Sequence, residues 1–269
     1  MGGGRGGRAR PGRAERYPRA VRAEAQTHQR ILRGSVAFVW VATGLAVAHP
    51  YYREVGGAYL DRLGLPHALM FVTCVFEVLL GAWVALRPAR TAVTALQVAM
   101  VLAFTAILAA LDPMLLVHPF GILTKNVPLL AVLLTAWMLE REGPSRRAAW
   151  ALRVGVGAIW VTEGLLPKIL FQQPMELAVV AGSGLVPIDP SAFLVFMGAA
   201  QLASGLGVLL LRGRWLRALL ACQAAALVVL PVLVSVQDPD LWFHPFGPLT
   251  KNLPILAGTY VLARCSSTS

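Results

Sequence analysis

Apolar residues run along this chain in long unbroken stretches, and the segments between them are short and basic, acidic or rich in proline. Eight stretches stand out, at residues 31–48, 68–86, 92–111, 120–139, 149–166, 192–211, 215–236 and 248–263. A helix needs about 20 apolar residues to cross a hydrocarbon core about 30 Å thick. Continuous runs of this kind lack the alternation of membrane strands. The pattern predicts an all-α integral membrane protein with eight transmembrane helices.

Composition fits that class. Of 269 residues, 57% are hydrophobic and 14% charged, and the mean hydropathy of +0.65 lies outside the range of soluble domains. A net charge of +11 would suit nucleic acid, but the placement of the charge points to a membrane instead. Much of it lies in residues 1–33, and Arg87, Arg90, Arg141, Arg146, Arg147, Arg212, Arg214 and Arg217 mark the second, fourth and sixth connections. Basic residues flank the cytoplasmic ends of membrane helices. Both termini are therefore expected on the cytoplasmic side of the cell membrane, with the lipid bilayer rather than nucleic acid as partner. The other connections, with Asp61, Asp112, Asp189, Asp238 and Asp240, are expected outside. Residues 1–30 carry almost no apolar payload and are expected to form a disordered basic tail touching anionic lipid. The first run ends in "AHPYYR" without a small-residue cleavage pattern, so it is expected to stay in the membrane. Cys74, Cys222 and Cys265 form no CxxC, which argues against a dithiol centre within the chain.

The chain also repeats itself. "HPFGILTKNVPLLA" begins at His118 and "HPFGPLTKNLPILA" at His244. Around these phrases Trp40 aligns with Trp160, Gly44 with Gly164, Glu77 with Gln201 and Gly81 with Gly205, at offsets of about 120 to 126 residues. Two four-helix repeats, at residues 31–140 and 148–264, follow from this. Because four is even, they are expected to run parallel, related by an axis along the membrane normal.

Each phrase falls where the third connection of its half becomes the fourth helix. Pro-Phe-Gly reads as a turn at the interface, Thr124 or Asn126 as a helix cap, and Pro128 as an early helical proline. Lys125 and Lys251 then have two readings: lysines snorkelling to the headgroups, or members of a buried site. Buried carboxylates favour the second, since an isolated charge at membrane depth is costly. Glu77 is expected to meet Lys125. Glu163, in "WVTEGLLPK", is expected to meet Lys251 or Lys168, and Gln201 takes the place of Glu77 in the second half. A helix-to-helix clamp accounts for these pairs as well as a substrate site does. His49, His67, His118 and His244 gather at outer helix ends, where imidazoles relay protons or sit at the interface. Their spacing supports no metal site, and no histidine at mid-membrane depth offers a haem ligand.

These residues carry a resemblance. "WVTEGLLPK" together with "HPFGPLTKNLP" resembles the DoxX-like membrane proteins, four-helix bundles related to the small quinone-linked subunit of thiosulfate oxidoreductase systems. The second half matches best, and the first looks like a diverged copy. The resemblance implies a site at Glu163, Lys168, His244, Lys251 and Asn252, with His118, Lys125 and Asn126 as counterpart. It also implies a membrane component of an oxidoreductase system, with quinone and a soluble oxidoreductase as partners. Small-solute transport and a scaffold for a soluble partner are the competing expectations.

Overall fold

The structure, a computed structural model, describes residues 18–184 and 186–265. Among these residues it is helical throughout, with no strand. The elements of the first half are α1 (Arg19–Leu45), α2 (Pro50–Arg62), α3 (Ala68–Leu86), α4 (Thr91–Leu111) and α5 (Asn126–Glu142). Those of the second half are α6 (Arg146–Gly164), which continues as a π-helical turn Leu165–Leu170, then α7 (Pro174–Gly182), α8 (Pro190–Leu210), α9 (Gly213–Gln237) and α10 (Asn252–Cys265). Local chemistry sets several boundaries. Pro50 and Pro174 open α2 and α7, where the missing N–H costs nothing. Ser145 and Asp189 accept the N–H of Ala148 at 3.2 Å and of Ala192 at 2.9 Å to cap α6 and α8.

Among the described residues six helices are long and apolar enough to cross a membrane: α1, α3, α4, α6 with its π turn, α8 and α9. The fourth and eighth apolar runs differ from expectation. Neither phrase is helical, so α5 begins at Asn126 and α10 at Asn252, leaving helices of 17 and 14 residues. At 1.5 Å per residue these reach only about 26 and 21 Å. The first and fifth connections hold two helices that the pattern did not predict, α2 and α7. A further correction concerns the N-terminal tail. Residues 19–30 are not a loose tail but the first turns of α1, with Ala25, His28 and Gln29 buried; residues 1–17 lie outside the described residues.

The centre is a bundle of α1, α5, α6 and α10. Leu32 and Val36 from α1, Val132 from α5, Val156 from α6 and Val261 from α10 meet there with exposures of 2% or less. Against it, α3 packs on α1 and α8 packs on α6 through glycines that let backbones approach. A Cβ at Gly81 would lie 2.9 Å from the Ala37 carbonyl, and one at Gly205 would lie 2.6 Å from that of Gly157. The outward faces of α3, α4, α8 and α9 are apolar and exposed, at Val72, Leu79, Leu102, Phe196 and Val232 among others. These are surfaces suited to lipid. On the arginine-rich face, guanidinium groups lie over indoles, Arg87 at 5.9 Å from Trp83, Arg153 at 5.4 Å from Trp150 and Arg214 at 5.0 Å from Trp215. Tryptophan beside arginine is the composition of a membrane interface.

Candidate functional site

The two phrases fold alike, bond for bond. In each, the histidine Nδ1 accepts the N–H of the phenylalanine two residues on, His118 from Phe120 at 3.3 Å and His244 from Phe246 at 3.2 Å. Gly121 (φ 65°) and Gly247 (φ 57°) follow in the left-handed region, which glycine enters without cost. Their carbonyls then accept the N–H groups of Lys125 and Lys251, both at 3.1 Å. A histidine accepting at Nδ1 is neutral and carries its proton on Nε2. Burial, followed by the charge of Lys125, pushes His118 down to about 4. Burial, then His118 and Lys251, pushes His244 down to about 3. Both histidines thus hold their turn through Nδ1.

The lysines cross over. Lys125 Nζ donates to the Pro248 carbonyl at 2.7 Å, and Lys251 Nζ donates to the Ile122 carbonyl at 3.1 Å. Pro248 and Ile122 occupy the same place in the two phrases, so the clasp is reciprocal. Both lysines are 8% exposed and do not snorkel outward. The expected partners are exchanged as well. Glu77 interacts electrostatically with Lys251 rather than Lys125, and Glu163 with Lys125 rather than Lys251. Thr124 strengthens that exchange by donating to Glu163 Oε1 at 2.5 Å. The cause is the central bundle: α5 packs on α6 and α10 on α1, so the segment entering each helix faces the other half. Neither Thr124 nor Asn126 caps α5; Lys125 holds the cap position, and Asn126 donates to Thr105 on α4 at 2.8 Å.

Two cavities lie on either side of this clasp. The first, about 310 Å³, is walled by Trp40, Thr43, Tyr52, Glu77 and other residues of the first half, with Phe246 and Lys251 of the second. The second, about 240 Å³, is walled by Trp160, Glu163, Lys168, Glu176 and Gln201, with Phe120 and Lys125 of the first half. Most of the wall is apolar in both. Asn126 lines the first and Asn252 the second, so each of the ten residues expected at a site, apart from the two histidines, lines one cavity or the other.

The second cavity is the richer in charge. The π turn brings Lys168 inward, with its Nζ 2.7 Å from Glu176 Oε1 and 3.3 Å from the Glu163 carbonyl. π-helical turns of this kind recur at functional sites. Glu176, from α7, was not anticipated. Its signal was a carboxylate two residues after Pro174 in an otherwise apolar segment, at the position Tyr52 takes after Pro50 in the first half. Several buried oxygens lack a hydrogen-bond partner among the described residues: Glu77 Oε2 at the first cavity, and Glu176 Oε2, Gln201 Oε1 and Asn252 Oδ1 at the second. Buried polar atoms normally find partners, so both cavities have polar capacity in reserve. All four of these atoms are acceptors, so the capacity in reserve is for a hydrogen-bond donor.

No curated protein and no solved structure matches the chain. The DoxX-like family matches it twice, over residues 37–134 and again over residues 157–260, and each match takes in the phrase of one half. The chain therefore belongs to the DoxX-like family, as a tandem pair of that family's unit.

Proposed function

We propose that this multi-pass protein binds a membrane-soluble carrier of the quinone class in its two cavities and serves as a membrane component of an oxidoreductase system. On this reading it sits in the cell membrane with both termini cytoplasmic, and α5 and α10, each lengthened by its phrase, complete eight membrane segments in two parallel repeats. The observation that carries the reading is the shape of the polarity. Each cavity is apolar along most of its wall and ends in a lysine and a carboxylate drawn from opposite halves. A water-soluble ion would find no continuous polar path there, whereas an amphiphilic ring finds both of its environments.

When bound, the carrier would supply reversible two-electron, two-proton chemistry. The protein's part is to hold and to balance. Lys125 with Glu163, and Lys251 with Glu77, keep each cavity near neutrality, and a carboxylate beside an ammonium group is placed to take or give a proton. Lys168, Glu176, Gln201 and Asn252 are positioned to orient a polar ring substituent in the second cavity. The non-helical entries to α5 and α10 favour transport as a second reading, because broken helices mark many transport sites. The test is direct: the purified protein in proteoliposomes is titrated with a ubiquinone analogue and assayed for uptake of small anions. Saturable quinone binding without uptake supports the proposal. Uptake abolished by Glu163→Gln, with no quinone binding, replaces it by the second reading.

A further inference from the structure

At the opposite end of α1 from the phrases lies a cleft of about 380 Å³, lined by Arg22, Gln29, Arg30 and Arg33 of α1, by Leu86 and Pro88 after α3, and by the end of α5 at Glu140. We propose that this cleft binds the phosphate headgroup of an anionic phospholipid. Glu140 is the only carboxylate lining it among the described residues, and that group is already engaged. Gln29 Nε2 donates to Glu140 at 2.5 Å, the Ala89 N–H at 3.1 Å, and Arg33 lies at 4.0 Å while also donating to the Arg87 carbonyl at 3.0 Å. The side chains of Arg22 and Arg30 make no hydrogen bond or ion pair with any described residue. Two guanidinium groups without a partner among the described residues and a third partly occupied one therefore line one concavity, where planar forks suit the oxygens of a phosphate.

The surroundings identify the source of that phosphate as lipid. The cleft sits where α1 passes from Arg30 to the apolar run that begins at Ile31, which is headgroup depth. Leu86, 80% exposed, forms part of its apolar rim, and Trp83 stands beside it with Arg87 and Arg90 at 5.9 and 6.0 Å from its ring. A free phosphate ion has no use for such a rim, but acyl chains do. The binding does not depend on which leaflet this end faces, nor on the quinone reading.

The test uses the full-length protein in neutral detergent, with lipid retention measured by native mass spectrometry. Phosphatidylglycerol should be retained about tenfold better than phosphatidylcholine, and Arg22→Gln with Arg30→Gln should remove that preference. Arg212→Gln with Arg214→Gln removes the same charge from another basic connection and should leave the preference intact. An unchanged thermal melting curve establishes that both variants fold. Equal loss in the two double variants would reduce the effect to net charge, and persistence of the preference in Arg22→Gln with Arg30→Gln would overturn the site. Displacement of the lipid by an equimolar amount of glycerol phosphate would show a free phosphate compound to be the ligand, against the proposal.

Discussion

Lys125 and Glu163 belong to different halves, 38 residues apart in the chain, yet lie together at the second cavity. Removing one charge leaves the other buried and unbalanced, which costs about 3–5 kcal/mol, whereas removing both costs much less. Lys125→Met should therefore destabilise strongly and be relieved by Glu163→Gln but not by Glu77→Gln. Lys251→Met should be relieved by Glu77→Gln alone. Double-mutant cycles on thermal or denaturant unfolding in detergent measure this, and additive effects for Lys125 with Glu163 would separate them. The histidines make a different prediction. Each is held below its ordinary value of 6.5 in the fold, to about 4 and about 3, so the unfolded chain takes up protons first as pH falls. Stability should decline from about pH 6.5 toward pH 4, and the decline should lessen in His118→Asn and His244→Asn, where an amide oxygen replaces the accepting Nδ1 and cannot titrate. Melting temperatures across pH 4 to 8 read it.

At the level of elements, glycine decides how closely α8 meets α6. Gly205→Ala places a methyl 2.6 Å from the Gly157 carbonyl and 2.7 Å from the Val161 backbone nitrogen, so it should cost about 1–3 kcal/mol. Gly34→Ala in α1 meets nothing within 4 Å and should stabilise by about 0.5–1 kcal/mol through helix propensity. Circular dichroism melts of the pair test whether the contact or the propensity dominates. The helices themselves were readable because continuous apolar length is a strong signal, and the ends of α3 at Leu86 and α4 at Leu111 lie where the pattern placed them. The starts of α5 and α10 were not. Phe120, Ile122 and Leu123 look like helix by hydropathy, while the left-handed Gly121 and the histidine-bonded turn keep them out of it. Short α2 and α7 escaped because thirteen residues of mixed polarity and nine mostly apolar ones are too short to give a periodic signal.

For the molecule as a whole, the tandem repeat was legible and its consequence was not. Matching Trp40 with Trp160 and one phrase with the other establishes two units, but pairing within a unit and pairing across units leave the same trace in sequence. Residues 129 apart, such as Lys251 and Ile122, are joined only because the central bundle alternates helices from the two halves. The sequence thus identified eight of the residues that line the cavities and offered Lys168 for Glu163, which does act on it, whereas its pairings of Glu77 with Lys125 and of Glu163 with Lys251 are exchanged in the fold. Crosswise assembly also changes what a half can do alone. Each cavity takes part of its wall from the other half, Phe246 and Lys251 at the first and Phe120 and Lys125 at the second, so neither unit is expected to bind a carrier without the other.

Binding stoichiometry tests the account most directly. A ubiquinone analogue titrated into the purified protein, by calorimetry or by quenching of Trp40 and Trp160, should fill two sites per chain. Lys125→Met should abolish the site beside Glu163 and spare the one beside Glu77, Lys251→Met should do the reverse, and the double variant should bind none. No saturable binding in the wild-type chain, or loss of the Glu163 site by Lys251→Met with Lys125→Met silent, would contradict it.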